Sequence, residues 1–99
     1  MNYKLAFHPL VNRDVQEVIS YYNSKKEGLG IDFFNELQRE YRTLKINPLF
    51  QIRYNDIRCL PLKRFPYMIH YSVDTLTKVV FIEAVYNTAK NPKTNWKKR

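Results

Sequence analysis

The sequence predicts an α+β fold, in which an antiparallel helical hairpin packs on one face of a small, mainly antiparallel sheet. Apolar residues recur at helical spacing in the first half of the chain and at every second position after Asp56. Both glycines, Gly28 and Gly30, fall between two helical patterns, where the chain needs a tight turn. The 99 residues suffice for one domain with one modest core. The predicted order is therefore β-α-α-β-β-β across residues 1–99, with a basic tail at 90–99.

The first three elements are a short strand and two helices. Alternating apolar residues from Tyr3 to Phe7 predict a half-buried strand. Pro9 ends it and is expected in the first turn of a helix that runs to about Lys26. The apolar stripe of that helix comprises Val11, Val15, Val18 and Tyr22. A second stripe comprises Phe33, Phe34, Leu37, Tyr41 and Leu44. This second helix is expected to end before residues 47–48, because proline disfavours helix at the preceding residue.

Three strands are predicted in the second half of the chain. Their ranges are Ile57 to Leu62, Tyr67 to Val73, and Val79 to Asn87. The last two form a hairpin around the turn at 74–78. The last strand is expected to present one apolar face through Val80, Ile82, Ala84 and Tyr86.

One histidine–carboxylate pair follows from the expected register of this hairpin. The apolar faces meet when Tyr71 lies opposite Ile82 and Val73 lies opposite Val80. That register places His70 opposite Glu83, on the face turned away from the helices. Two interpretations stay open: Glu83 charges His70 for general acid–base work on a phosphodiester, or the two form an ordinary cross-strand ion pair.

The charge of the chain indicates an anionic partner. Its 17 Lys and Arg against 9 Asp and Glu give a formal charge of +8. Residues 1–50 carry seven basic and six acidic side chains, and residues 51–99 carry ten and three, so the positive field belongs to the second half. Such a field attracts nucleic acid, an anionic surface or an acidic protein.

A basic patch with interleaved aromatic residues surrounds the first predicted strand of the second half. It comprises Arg53, Arg58, Lys63 and Arg64, with Tyr54 and Phe65 between them. Such a patch can hold a phosphate backbone and stack a base, or it can dock an acidic partner peptide. The basic tail adds Lys90 and Trp96, and Trp96 either anchors the tail by packing or contacts a partner.

Several function classes have no support in the sequence. Cys59 is the single cysteine, and no cluster has metal-ligand spacing, so neither a disulfide nor a metal site is expected. No glycine-rich phosphate loop occurs, and we expect no cofactor. No signal peptide or stretch of roughly 18 apolar residues is found, which favours a cytoplasmic protein without membrane contact.

Three local patterns together resemble the ParE/RelE superfamily of toxins from bacterial type II toxin–antitoxin systems, which includes the plasmid stabilisation family. They are DVQEVISYY (14–22), LGIDFFNEL (29–37), and IRCLPLKRFPYMIHY (57–71) followed by VVFIEAVYNTAKNP (79–92). The most specific part is residues 64–67 with Tyr71, and Asn91-Pro92 with Trp96 is similar to the ending of ParE-like members.

The resemblance implies a toxin that is neutralised by an acidic antitoxin. In its RelE-like branch, basic side chains on the open sheet face cleave mRNA on the ribosome; in its ParE-like branch, the toxin blocks DNA gyrase and is not an enzyme. This chain has Met68, Asn87 and Thr88 at positions where such nucleases often carry Arg or His, and this difference favours the ParE-like branch.

The resemblance then implies that antitoxin or target is bound by Arg58, Arg64, Tyr67, Lys90 and Trp96. In the alternative, an endoribonuclease that acts on ribosome and mRNA would use Arg58, Lys63 and His70. A third expectation is a non-toxic relative that only binds a partner.

Overall fold

The computed structural model describes residues 2–88, which form two helices and a five-stranded sheet. In chain order the elements are β1 (Lys4–Phe7), α1 (Val11–Lys25), α2 (Leu29–Ile46), β2 (Ile52–Tyr54), β3 (Ile57–Pro61), β4 (Tyr67–Asp74) and β5 (Val79–Asn87). The sheet order is β1-β5-β4-β3-β2, with β1 parallel to β5 and the other pairs antiparallel. The predicted α+β class is confirmed. The short strand β2 is an addition, because no strand was predicted between the second helix and Ile57.

The helical hairpin is confirmed, with two details that the sequence did not show. Helix α1 begins at Val11, so Pro9 precedes the helix and does not lie in its first turn as expected. Gly28 has φ of +85°, the left-handed backbone that favours glycine, and Gly30 is already helical. At Gly30 the two helices meet closely: its amide donates to Asn23 Oδ1 over 2.8 Å, and a Cβ there would lie 2.5 Å from the carbonyl oxygen of Ile19.

The core lies between the two helices and one face of the sheet. Its fully buried side chains include Phe33, Leu37 and Leu44 from α2, Ile69 and Tyr71 from β4, and Val80 and Ile82 from β5. Rings of Tyr22, Phe33, Phe65 and Tyr67 pack together at one end of it. Within residues 2–88, no helix is long and apolar enough to cross a membrane.

The register of the β4–β5 hairpin is confirmed near its turn and is wrong beyond it. Tyr71 pairs with Ile82 and Val73 with Val80, as predicted. The ladder then shifts between His70 and Tyr71, so that His70 lies opposite Ala84 and Glu83 is the extra residue of a bulge. The predicted His70–Glu83 pair is therefore wrong.

The bulge also changes which side chains of β5 face the helices. An extra residue reverses the alternation of every later side chain. Val85, opposite Ile69, joins the core, whereas Ala84 and Tyr86 do not, although an uninterrupted strand would have placed them there.

Candidate functional site

The sheet face turned away from the helices carries a buried polar cluster around His70. The His70 side chain is fully buried. Its Nδ1 lies 3.0 Å from the Tyr54 hydroxyl and 3.6 Å from Cys59 Sγ, and its ring contacts that of Tyr86 with the centroids 5.1 Å apart. The strands explain this arrangement, because Cys59 lies opposite His70 on β3 and Tyr54 lies on the neighbouring strand β2.

Burial holds this cluster in its neutral state near pH 7. Burial, together with the positive charge of Arg53, lowers the pKa of His70 to about 4. Burial also raises the pKa of Tyr54 to about 12 and that of the Cys59 thiol to about 11. His70 thus carries no positive charge at neutral pH, and Cys59 is not a thiolate nucleophile.

Charges of both signs surround the cluster. The guanidinium of Arg53 acts on His70 and Cys59, whereas the carboxylates of Glu83 and Asp56 act on Tyr54. A dense field of cations would stabilise the extra charge of a phosphodiester transition state. Among residues 2–88, the cation that acts on His70 is the exposed Arg53, and the carboxylates of Glu83 and Asp56 lie near the same cluster.

Arg58 lies on the other face of the sheet and stabilises a loop. It pairs with Tyr71 across β3 and β4, so both side chains point to the helix side. The Arg58 guanidinium donates to the carbonyl of Phe50, and the Tyr71 hydroxyl donates to the carbonyl of Pro48 over 2.7 Å. Arg58 and His70 are therefore on opposite faces.

The loop 62–66 is attached to α2 through a buried carboxylate. Glu36 is 2% exposed, and its Oε2 accepts the amides of Lys63 and Arg64 over 2.5 and 3.0 Å. Arg64 then extends along α2, with its Nε 3.9 Å from Glu36 and its Nη2 3.6 Å from Asp32. Its side chain stays 58% exposed and accessible to a partner.

The residues expected from the sequence do not form one site. Lys63 lies in the loop after β3, Arg58 on the helix side, and His70 on the opposite face, so the three residues of the nuclease alternative do not converge. Tyr67 packs against Phe33, with the ring centroids 5.5 Å apart, and is partly buried. Lys90 and Trp96, with the rest of the basic tail, lie outside the described residues.

Two contributors were missed from the sequence. Glu36 falls within the apolar stripe of α2, and a buried acid at such a position needs hydrogen-bond donors, which was the available signal. Tyr54 was predicted as an aromatic neighbour of the basic patch but not as a site residue, because β2 was not predicted.

Within residues 2–88, no group of three or more His, Cys, Asp or Glu side chains is placed to hold a metal ion.

A groove runs between the edge strand β1 and helix α2. Its apolar end, of about 430 Å³, is lined by Phe7, Val11, Val15, Phe34, Leu37 and Tyr41. Its basic end, of about 580 Å³, is lined by β1 together with Arg42 and Lys45. Phe7 and Phe34, which both line the apolar end, remain 47% and 37% exposed.

The fold is similar to that of known toxin–antitoxin proteins. No protein-family model matches the chain, and no curated protein matches it. A chain of the chromosomal ParDE system from P. aeruginosa superposes with a TM-score of 0.74 at 13% identity, covering 86% of this chain and 95% of that one. E. coli toxin RelE, as a variant with two arginines replaced by alanine, gives 0.65 at 17% identity, covering 90% and 86%. The archaeal RelE–RelB complex from Pyrococcus horikoshii gives 0.61 at 15% identity, covering 92% and 100%. The chain therefore has the fold of ParE and RelE toxins.

Proposed function

We propose that this chain is the toxin of a bacterial type II toxin–antitoxin pair, of the ParE-like kind. It is held inactive in the cytoplasm by an acidic antitoxin and, when free, stops growth by binding DNA gyrase. The observation that supports a toxin most strongly is the likeness to the ParDE chain, which extends over 86% of this chain and 95% of that one. The charge of +8 supports an acidic partner, because opposite fields accelerate and orient association.

The ParE-like branch is supported by the chemistry of the face around His70. Cleavage of a phosphodiester needs groups that move a proton and groups that stabilise negative charge. His70 is buried and neutral, and Met68 and Asn87 occupy strand positions where nucleases of this superfamily often carry basic residues. The chemistry of this face therefore favours binding of a protein partner over cleavage of a phosphodiester.

A second candidate function is a RelE-like mRNA endoribonuclease that acts on the ribosome. One specific observation favours it: Arg53 is exposed and lies near both His70 and Cys59, so a bound phosphate would meet a cation there. Arg53 would then carry the catalytic charge in place of Arg58, whose guanidinium is bound to the Phe50 carbonyl. A third candidate is a relative that binds a partner without being toxic.

Expression in E. coli without any antitoxin separates the toxic candidates from the third. We expect growth arrest, and normal growth at high expression of folded protein would contradict a toxin. Purified protein is then added to DNA gyrase in a supercoiling assay, with the heat-denatured protein as control. Loss of supercoiling supports the proposal, and full supercoiling at a large molar excess of toxin refutes gyrase as the target.

Primer extension on messages from arrested cells tests the endoribonuclease. New ends within reading frames, lost in Arg53→Ala but kept in Arg13→Ala, would support cleavage. Arg13 is a matched control, because it is an exposed arginine on α1. Growth arrest without new ends would refute this candidate.

Arg64 is a proposed binding residue, and alanine substitution tests this role. Arg64→Ala is expected to weaken inhibition or antitoxin binding, with Arg13→Ala as the matched control, since both arginines are exposed and make long ion pairs. Equal effects of the two substitutions would remove Arg64 from the binding surface. The proposed contacts also include the other residues that the family resemblance implies, which are Tyr67, Arg58, Lys90 and Trp96.

A further inference from the structure

Large apolar side chains are exposed at one corner of the molecule, where α2 ends and the edge strand β2 begins. They belong to Ile46, Leu49, Phe50 and Ile52, and each residue is between 36% and 70% exposed. A single exposed apolar side chain is common on protein surfaces, whereas several together mark a surface that a partner covers. These residues are called the apolar corner below.

The apolar corner originates from one loop and its two ends. Ile46 is the last residue of α2, and Leu49 and Phe50 lie in the loop that follows. Ile52 lies opposite Arg58 across β2 and β3, and the Arg58 guanidinium donates to the carbonyl of Phe50. Arg58 thus ties the start of β2 to the loop that carries the other apolar side chains.

The backbone of this loop is fixed although its side chains are exposed. Pro48 is fully buried, and its carbonyl accepts the hydroxyl of Tyr71 over 2.7 Å and the amide of Phe50 over 2.9 Å. The amide of Leu49 donates to Asn47 Oδ1 over 3.2 Å. A loop whose backbone is already ordered loses little conformational entropy on binding, so burial of its apolar side chains contributes more of its free energy to affinity.

The charged residues in this part of the sequence are all positive. Residues 41–55 include Arg42, Lys45 and Arg53 and contain no Asp or Glu. Lys45 directly precedes the apolar corner, Arg53 directly follows it, and both are exposed. An apolar centre with a charged rim is typical of a protein interface, and opposite charges at the rim accelerate and orient association. The corner therefore fits a surface that carries carboxylates around an apolar centre.

We propose that the apolar corner binds a folded protein with an acidic surface, where its side chains fill a hydrophobic depression and Lys45 and Arg53 pair with carboxylates at the rim. This inference rests on the proposed function, since it names the surface through which the free toxin binds its cellular target. A folded partner is favoured over an extended segment, because side chains as exposed as those of Ile46 and Leu49 project from the molecule and need a concave surface to bury them.

A second copy of this chain fits the apolar corner poorly. Two corners that met face to face would bring Lys45 and Arg53 of both copies together, and residues 41–55 supply no carboxylate to compensate. Like charges that meet across an interface oppose association. Pairing through β2 would add little, because this strand spans three residues and its register with β3 shifts within that length.

Matched apolar variants test the proposal. Leu49→Ser with Ile52→Thr removes two apolar side chains from the corner, and Leu76→Ser with Ile31→Thr makes the same replacements at exposed positions outside it. Graded expression in E. coli gives the level at which growth stops, and biolayer interferometry with purified DNA gyrase gives the Kd. The corner variant is expected to raise both at least about tenfold, whereas the control variant changes them less than about twofold.

A second pair of variants tests the charged rim. Lys45→Glu and Lys26→Glu make equal charge changes at the C-terminal ends of α2 and α1, so they alter the helix ends alike. Lys45→Glu is expected to weaken gyrase binding about fivefold, and this loss should shrink in about 0.5 M salt because ions screen the rim charges. Lys26→Glu should bind as the wild type does.

Thermal unfolding monitors the fold of each variant. The replaced side chains are exposed, so each Tm is expected within a few degrees of the wild-type value. If the double corner variant does not fold, Lys45→Glu decides.

The outcomes separate this inference from the proposed function. Folded corner variants that stop growth at the wild-type level overturn the apolar corner, and the chain remains a toxin. If the wild type stops growth without binding gyrase, gyrase is refuted as the target, and the growth thresholds of the variants decide on the corner. A wild-type chain that does not stop growth contradicts both.

Two other occupants of the corner are also outcomes of the test. Dimers of the wild type, seen by light scattering and lost in the double corner variant, would assign the corner to a second copy. Flotation with phosphatidylglycerol vesicles that the same variant loses would assign it to an anionic lipid surface. Either result overturns the inference.

Discussion

Replacing Glu36 tests how the structure holds the loop 62–66 against α2. The carboxylate is buried and accepts two backbone amides, those of Lys63 and Arg64. A hydrogen bond to a charged group contributes roughly 1.5–3 kcal/mol, and an amide left without an acceptor costs more when water cannot reach it. The two amides are only partly buried, so water replaces some of the loss in Glu36→Ala. We expect the free energy of unfolding to fall by about 3 kcal/mol.

The expected change is large enough for a thermal unfolding experiment. In a domain of this size, 1 kcal/mol corresponds to roughly 4–8 °C in Tm, so Glu36→Ala should lower Tm by about 12–24 °C. Both amides donate to the same oxygen, so Glu36→Gln keeps an acceptor for them but loses the negative charge, and it should lose about half as much stability. Circular dichroism at 222 nm follows the thermal unfolding of both variants.

Arg64→Ala is the internal control for this prediction. Its side chain contacts the same carboxylate, but it is 58% exposed and its closest ion-pair distance is 3.6 Å. Exposed pairs of this kind contribute less than about 1 kcal/mol. If Glu36→Ala and Arg64→Ala lowered Tm equally, the backbone hydrogen bonds would not be what holds the loop, and the reasoning would be refuted.

Three further predictions concern the sheet and the helical hairpin. The pKa of His70 lies below its unfolded value of 6.5, so the stability it contributes is complete above pH 6.5 and is lost as the pH falls to about 4. Urea unfolding across that pH range should show this loss of stability, and an NMR titration that gave His70 a pKa near 6.5 would contradict the prediction. Tyr71→Phe removes the buried hydrogen bond to Pro48 and should lower stability by about 1–2 kcal/mol, with faster amide exchange in residues 47–51; unchanged exchange would mean that the hydroxyl does not hold this loop. Gly30→Ala places a methyl group against the α1 backbone and should lower Tm more than Gly28→Ala, whose cost of about 1 kcal/mol comes from its positive φ alone. The reverse order in thermal unfolding would argue against the close helix contact at Gly30.

Local patterns were sufficient for the two helices and for four of the five strands, with β2 the exception. Helix α2 ends at Ile46, as Asn47-Pro48 predicted, because a proline acts on its immediate neighbour. The register of Tyr71 with Ile82 was also predictable, because a short turn and an apolar face determine pairing close to the turn. The predicted strand over Ile57 to Leu62 corresponds to β3 at Ile57–Pro61.

The arrangement of the candidate site was not predictable in the same way. The bulge at Glu83 arises where Val85 packs under the helices, and this packing moved His70 from a carboxylate partner to Ala84. Arg58 and His70 are twelve positions apart, and only the pairing of β3 with β4 assigns them to opposite faces.

The sequence by itself determined the fold class, the two helices, four of the five strands and the excess of positive charge, because these depend on periodicity, turn residues and composition. The tertiary structure decided that Glu36 accepts two loop amides, that His70 is buried and neutral, and that β1 is an outer strand beside a basic groove. Each of these depends on residues far apart in the chain, which come together only when helices and sheet pack around a common core.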